Sequence, residues 1–292
     1  MDKIIRGQLA HYPVRFFCAT TSSSVEQMRC IHNSTATATA AVGRLLTAAM
    51  MMGVMMKNEK DRLTLIINGS GPIEQITVTT NNRAQGKCDI CYPDIDVFVN
   101  ETGKLDVGRA IGAGTLTVIK DIGLRTPYNS TVELISSEIA EDIAYYYAAS
   151  EQIPTVCSLG VLVQPDNSVL CAGGFMIQVM PTCPEEVIDY LENIIKELPS
   201  ITTMLKNNMT EIDIINTIFK KDGYDYKIEE SIAPEYYCDC SYEKIERILK
   251  SLGRQELENI LKEQQEIELK CHFCNKKYYF NAEKIYQLLK ID

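Results

Sequence analysis

Tryptophan is absent from this 292-residue chain, and histidine occurs only three times, at positions 11, 32 and 272. So few imidazoles leave little scope for catalysis by a Cys-His or Ser-His pair, and no such arrangement, Walker loop or serine elbow stands in the sequence. Gly112-Ala-Gly114 lacks the third glycine and the strand-to-helix context of a dinucleotide site. The expectation is a protein that is not an enzyme. Long apolar runs are also missing. The longest, Leu45 to Met56, is broken by Thr47 and Gly53 and bounded by Arg44 and Lys57, well short of the roughly 20 residues that a membrane span needs. The opening MDKIIRGQLAHYPVRFF has no sustained apolar stretch leading to a small-residue cleavage site, so a cytoplasmic protein without membrane contact is expected. Nor is there an excess of positive charge. The formal net charge is -10, which argues against a general phosphate-binding surface and hence against a nucleic-acid partner.

What is present is apolar material for a good core: 46% of the residues are hydrophobic and 23% charged. Five of the last seven residues of the 45–56 run are methionine (Met50, Met51, Met52, Met55 and Met56), and core packing rather than a soft binding surface is the expectation for them. Residues 1–179 mix β-like runs (Leu63 to Ile67, Ile73 to Thr79, Thr115 to Ile119, Val156 to Val163) with a few helical stretches, which predicts an α+β domain with an N-terminal sheet. Ser34 or Thr35 suits the start of an Ala-rich helix reaching about Lys57, and Ser136 or Ser137 the start of one from Glu138 to Ser150.

From residue 180 the texture changes. Residues 180–235 carry 12 acids and 5 bases, so this stretch alone supplies -7 of the net charge. Apolar spacing at Val187, Ile188, Leu191, Ile194 and Ile195, then Pro199, reads as a helix and its stop, and a second helix from about Thr210 to Lys221 would turn Ile212, Ile215 and Phe219 to one face. Such an acidic helical linker buries little by itself and must dock to offset its ordering cost, although composition alone slightly favours an ordinary acidic helical hairpin on the surface. Residues 236–292 balance at 10 acids and 10 bases. Here Ser241 starts a helix to about Leu252, a second helix runs from Arg254, short β-like runs (Ile267 to Lys270 and Tyr278 to Phe280) flank Cys271-His-Phe-Cys274, and Asn281 starts a last helix.

Eleven cysteines in a chain of this length, without an export signal, point to reduced thiols. Two tight pairs, Cys238-Asp-Cys240 and Cys271-His-Phe-Cys274, stand 30 residues apart. Two close pairs from distant points of a chain are what a tetrahedral metal site requires. Zinc is the expected ion, an iron–sulfur cluster being the alternative four thiolates allow, and His272 reads as a turn residue that could stand in for one ligand. A third pair, Cys88-Asp-Ile-Cys91, lies in an alternating segment where residues three apart face opposite ways, so no shared ligand or disulfide is expected of it. Cys18, Cys30, Cys157, Cys171 and Cys183 read as small core residues.

With these cysteines, AAVGRLLTAAMMMG at 40–53, GSGPIEQI at 69, GAGTLTVIKDIG at 112, SEQIP at 150 and AGGFMIQVMP at 172, the sequence resembles the redox-regulated 33-kilodalton heat-shock chaperones of bacteria, over almost its whole length. The resemblance implies three segments: an N-terminal core domain over 1–179, a helical linker over 180–235 and a zinc-binding redox switch over 236–292. It implies a holdase that works without ATP, with one zinc on Cys238, Cys240, Cys271 and Cys274 in the reduced, inactive form. Oxidation would then give the disulfides Cys238–Cys240 and Cys271–Cys274, release the ion, and let the linker and adjoining N-domain surface bind unfolding clients, with dimerisation on activation. Cys88 and Cys91 are extra thiols, and the strand at 83–91 is less basic than the family leads one to expect. Two other readings compete: a constitutive zinc module for nucleic acid, which needs a basic C-terminal face, and a thiol-disulfide oxidoreductase, which needs one exposed, low-pKa C-x-x-C.

Overall fold

The Ala-, Thr- and Met-rich stretch 36–53 is the axis on which most of the chain is assembled. In a computed structural model, which describes residues 2–263 and 266–289, it is a helix buried at every position except Arg44. It follows strands β1 (Lys3–Leu9) and β2 (Val14–Thr20) and helix α1 (Ser22–His32), and is itself α2 (Ala36–Gly53). Next come β3 (Arg62–Gly69), β4 (Gln75–Thr80), β5 (Gln85–Ile90), α3 (Val107–Ile111), β6 (Gly114–Asp121), β7 (Tyr128–Glu133) and α4 (Ala140–Tyr146). Helix α4 runs on as a π-helical turn over Tyr147–Glu151 into β8 (Thr155–Val163) and β9 (Val169–Val179). Then α5 (Glu185–Glu197), α6 (Ile201–Lys206), α7 (Glu211–Phe219), β10 (Tyr226–Ile232) and β11 (Glu235–Tyr236) complete a first unit, Met1–Tyr236. The second unit, Tyr237–Asp292, holds α8 (Tyr242–Ser251), α9 (Arg254–Glu263), β12 (Glu266–Lys270), β13 (Lys277–Asn281) and α10 (Ala282–Leu289). The architecture is α+β, as the sequence predicts.

Two sheets make the first unit, in the orders β10-β1-β2-β9-β8 and β11-β5-β4-β3-β6-β7. Neighbours pair antiparallel throughout except β11, which runs parallel to β5. Helix α2 packs against strands of both sheets, so its small and flexible apolar residues fill a narrow layer that larger side chains would overfill. Gly43 shows how narrow: a Cβ there would stand 2.7 Å from Val25 and 2.9 Å from Val161. Met50, Met51 and Met52 are core residues, while Met55 and Met56 are half-buried.

The far face of the first sheet carries a second apolar layer. Val187, Leu191 and Ile194 of α5, Ile201 and Met204 of α6, and Ile214, Ile215, Ile218 and Phe219 of α7 pack on Ile5, Phe16, Cys18, Phe175 and Ile177. The acidic segment 180–235 is thus laid on the sheet, and its last part enters it as β10 beside β1. The apolar face of α7 is rotated from the one expected: Ile212 is exposed and Ile214 and Ile218 point inward.

Helix starts follow local hydrogen bonding. Thr210 and Asp213 cap α7 reciprocally, and Ser241 accepts from Lys244 N–H at α8. Neither Ser136 nor Ser137 caps α4. The fully buried Asp142 does so, its carboxylate accepting from the N–H groups of Ile135 (2.7 Å), Ser136 (3.0 Å), Ser137 (3.3 Å) and Ile139 (2.8 Å). A buried carboxylate satisfied by four amides outcompetes a hydroxyl.

Candidate metal centre

Cys238 and Cys240 lie on the extended segment before α8, which Ser241 starts and Gly253 (φ 84°) follows. Cys271 and Cys274 lie in the connection between β12 and β13, whose pairing ends at Lys270 opposite Lys277. That turn is closed by Cys271 N–H on the Lys276 carbonyl (2.9 Å) and Asn275 N–H on the Cys271 carbonyl (2.8 Å). Asn275 takes φ 60°, a left-handed conformation that asparagine tolerates better than most residues. His272 is exposed within the turn, the position its spacing suggested.

These elements bring the two cysteine pairs to one point. All four Sγ atoms lie within 4.8 Å of one another, with Cys240–Cys274 at 3.3 Å and Cys238–Cys271 at 3.7 Å. A tetrahedral ion with metal–sulfur distances of about 2.3 Å sets its sulfurs about 3.8 Å apart. The donor set therefore fits a single thiophilic cation. Burial pushes the Cys238 thiol far up and the Cys274 thiol up to about 11. Burial also acts to raise Cys240, but hydrogen bonds from the Tyr278 hydroxyl and from its three neighbouring thiols outweigh it and bring Cys240 below the ordinary thiol value. A bound cation would stabilise all four as thiolates.

Tyr278, whose hydroxyl donates to Cys240 Sγ at 3.1 Å, was not anticipated from the sequence. The signal was present: in β13 Tyr278 and Phe280 are buried and the flanking Lys277, Tyr279 and Asn281 exposed, an alternation that aims Tyr278 inward four residues past Cys274. Among the described residues, the buried apolar support around the cluster is Ile245, Leu249, Leu257, Ile267, Tyr278, Phe280 and Ile285 beside Cys271.

The remaining thiols divide by exposure. Cys88 is buried and Cys91 exposed, in keeping with their opposite-face reading, and Cys18 and Cys171 are buried in the core. Cys30 departs from expectation. It is exposed on α1, 3.4 Å from Glu26 Oε1, because the helix turns that position to solvent.

The profile of the family described as Hsp33 protein matches residues 2–281, a range that takes in all four clustered cysteines. The chain belongs to the Hsp33 family. The 33 kDa chaperonin of Clostridium perfringens is 48% identical over 291 residues, covering 99% of this chain and 91% of that protein. The 33 kDa chaperonin of Caldanaerobacter subterraneus subsp. tengcongensis is 46% identical, with 99% and 98% covered. Among solved structures, the 33 kDa chaperonin (heat shock protein 33 homolog) from Thermotoga maritima superposes with a TM-score of 0.90 at 38% identity, covering 99% of this chain and 97% of that one. The Hsp33 match thus spans both units, and the resemblance drawn from the motifs holds. Among the described residues, no helix is long and apolar enough to cross a membrane.

Proposed function

We propose that the chain is a cytoplasmic, ATP-independent holdase chaperone that binds unfolding proteins once its clustered cysteines are oxidised, and that one zinc ion holds it inactive before that. The observation that carries the reading is the convergence of Cys238, Cys240, Cys271 and Cys274 at the centre of a unit whose described residues add few other buried side chains. Zinc is favoured over an iron–sulfur cluster because four sulfurs this close surround one ion, whereas a multi-iron cluster spreads its cysteines over different irons. Relatives named as chaperonins support the rest.

Thiolates, not thiols, react with peroxide. One sulfur attacks a peroxide oxygen and becomes a sulfenic acid as water leaves; a second thiol attacks that sulfur and expels another water. Each disulfide so formed takes two electrons from sulfur and reduces one hydrogen peroxide to two waters. The proposed products are Cys238–Cys240 and Cys271–Cys274. Cys240–Cys274 and Cys238–Cys271 approach closely across the pairs in the folded unit, but once the unit loosens, chain neighbours keep the higher effective concentration, since the pairs themselves are 30 residues apart. Sulfurs paired in disulfides no longer ligate.

A structural zinc contributes on the order of 10 kcal/mol of apparent folding free energy, so its loss unfolds residues 237–292. The chain beyond Tyr236 is then free, and the acidic helices α5–α7 loosen from the sheet, uncovering the face that carries Phe16, Phe175 and Ile177 for clients. Dimerisation accompanies this activated form. The test is zinc release and suppression of thermal aggregation of an unrelated protein, measured before and after peroxide. Equal holdase activity in both states sinks the switch. Turnover of an insulin disulfide would favour an oxidoreductase, and salt-sensitive RNA binding a nucleic-acid module.

A further inference from the structure

The first unit ends in a strand of two residues. Glu235 and Tyr236 lie opposite Gln85 and Gly86 on the edge of β5, with Glu235 N–H donating to the Ala84 carbonyl at 3.1 Å. The hold is mostly one side chain. Tyr236 is 4% exposed and carries its hydroxyl to His32 Nε2 of α1 (3.1 Å) and to Cys88. There it accepts from the Cys88 N–H (3.3 Å), donates to the Cys88 carbonyl (3.3 Å) and sits 3.7 Å from Cys88 Sγ. Both backbone groups of Cys88 are thus met by a phenol, where a longer β11 would have continued the ladder. On one side β11 follows β10, which is paired along β1, and on the other the chain runs on at Tyr237 into the second unit, with Cys238 two residues beyond Tyr236.

We infer that the β5 edge is a strand-acceptor site for clients: when the second unit unfolds, β11 becomes a frayed chain end, and an extended client segment takes its place parallel to β5 with an aromatic side chain in the Tyr236 socket. The occupant is read from β11 itself, which shows the direction, the register and the anchor the edge accepts. Terminal segments without a downstream anchor open at low cost, and strand addition to an exposed sheet edge is a general way of binding extended peptide through main-chain bonds, with pockets selecting side chains. Unfolding proteins supply such segments without a defined sequence. The inference rests on the proposed redox switch and names one surface it uncovers.

Cys88 is the built-in reporter. It is wholly buried beside Tyr236, and burial pushes its thiol up to about 12, so alkylation reads its uncovering. Full-length protein is pulse-alkylated with a maleimide and Cys88 and Cys30 are followed by peptide mass. Three states are compared: zinc-loaded, peroxide-treated and quenched, and the latter with a reduced, carboxymethylated, thiol-free unfolded protein. Labelling of Cys88 rises roughly tenfold or more on oxidation and falls again with the unfolded protein, while exposed Cys30 stays constant. If zinc is released and holdase activity appears but Cys88 remains protected, or if the unfolded protein leaves its labelling unchanged, the edge is not the site. If peroxide releases no zinc and induces no holdase activity, the switch fails and this inference with it. Tyr236→Phe keeps the ring and loses the hydroxyl bonds. In the zinc-loaded state it should raise Cys88 labelling several-fold without zinc release, and unchanged labelling would overturn the anchoring role of the hydroxyl.

Discussion

Helix α2 and the four-cysteine cluster each sit at the centre of their unit, but they hold that place by different means. Around α2, two sheets and α1 bury a continuous layer of aliphatic, Met and aromatic side chains from Ile4 to Tyr236. Around the cysteines, the described residues offer eight buried side chains, one of them Cys271 itself. Buried apolar area supports the first unit by itself. The second is of a size and core content at which a small unit needs a metal or disulfide staple. A molecule built this way can lose one unit and keep the other, which is what a switch requires.

The largest effect should come from the staple. Cys271→Ser removes the most buried of the four clustered thiols, and with zinc bound as proposed the apparent loss is on the order of 10 kcal/mol, the scale of structural zinc binding. Hydrogen exchange should show protection lost across 237–289 and retained in α2. Retained protection in α8 and β12–β13 would mean that the eight-residue cluster suffices and that the contrast between the units is false.

Next in size is the opposite test. Leu45→Ala, at a fully buried position of α2, should destabilise the first unit by about 2–5 kcal/mol in denaturant unfolding. Metal affinity, read by competition with a chelator, should not change. A parallel fall in affinity would show that the two units fold as one.

What was legible in the sequence follows the same division. The clustering of the four sulfurs could be read directly because spacing is the chemistry: C-x-C and C-x-x-C state which sulfurs can reach one ion. Strands β3, β4, β5, β6 and β8 of the first unit were legible as β-like or alternating runs, and the start of α2 from Thr35, whereas β1, β2, β7, β10 and β11 were not read. The cap of α4 was not, because Asp142 reaches back over several residues in a conformation that no serine-based rule describes. The apolar face of α7 was placed one turn position off, since a run as apolar as Glu211–Phe219 leaves periodicity a poor guide and the sheet beneath decides. Tyr236 gave no signal, because its partners His32 and Cys88 are joined to it only by the fold.

A finer change tests whether the second unit depends on more than its ligands. Tyr278→Phe removes the hydroxyl on Cys240 Sγ and leaves the ring in its buried position. Groups that hydrogen-bond a metal ligand tune affinity, and here a loss of about tenfold is expected, the low end for such partners. The β12–β13 hairpin should keep its exchange protection. Unchanged affinity would reduce Tyr278 to a packing residue.

The smallest effect concerns protons. In the first unit Glu26 accepts from Arg29 and from the Val169 N–H (2.9 Å), and the Arg29 hydrogen bond above all holds its carboxyl down from the ordinary 4.5 to about 2. A depressed carboxyl contributes stability that is present above its unfolded value and lost as pH falls, so the window is pH 4.5 down to about 2. Glu26→Gln should narrow the gap to the native protein across that window, by less than about 1 kcal/mol because the pair is partly exposed and screened. The second unit should answer acid differently: protons compete with the metal for sulfur, so its affinity falls with pH in both proteins alike. Acid titrations of the two proteins, with exchange resolved by unit, would therefore separate on α1 and β9 and coincide on α8. Equal acid sensitivity of α1 in both would show that the Glu26 pair contributes nothing to the first unit.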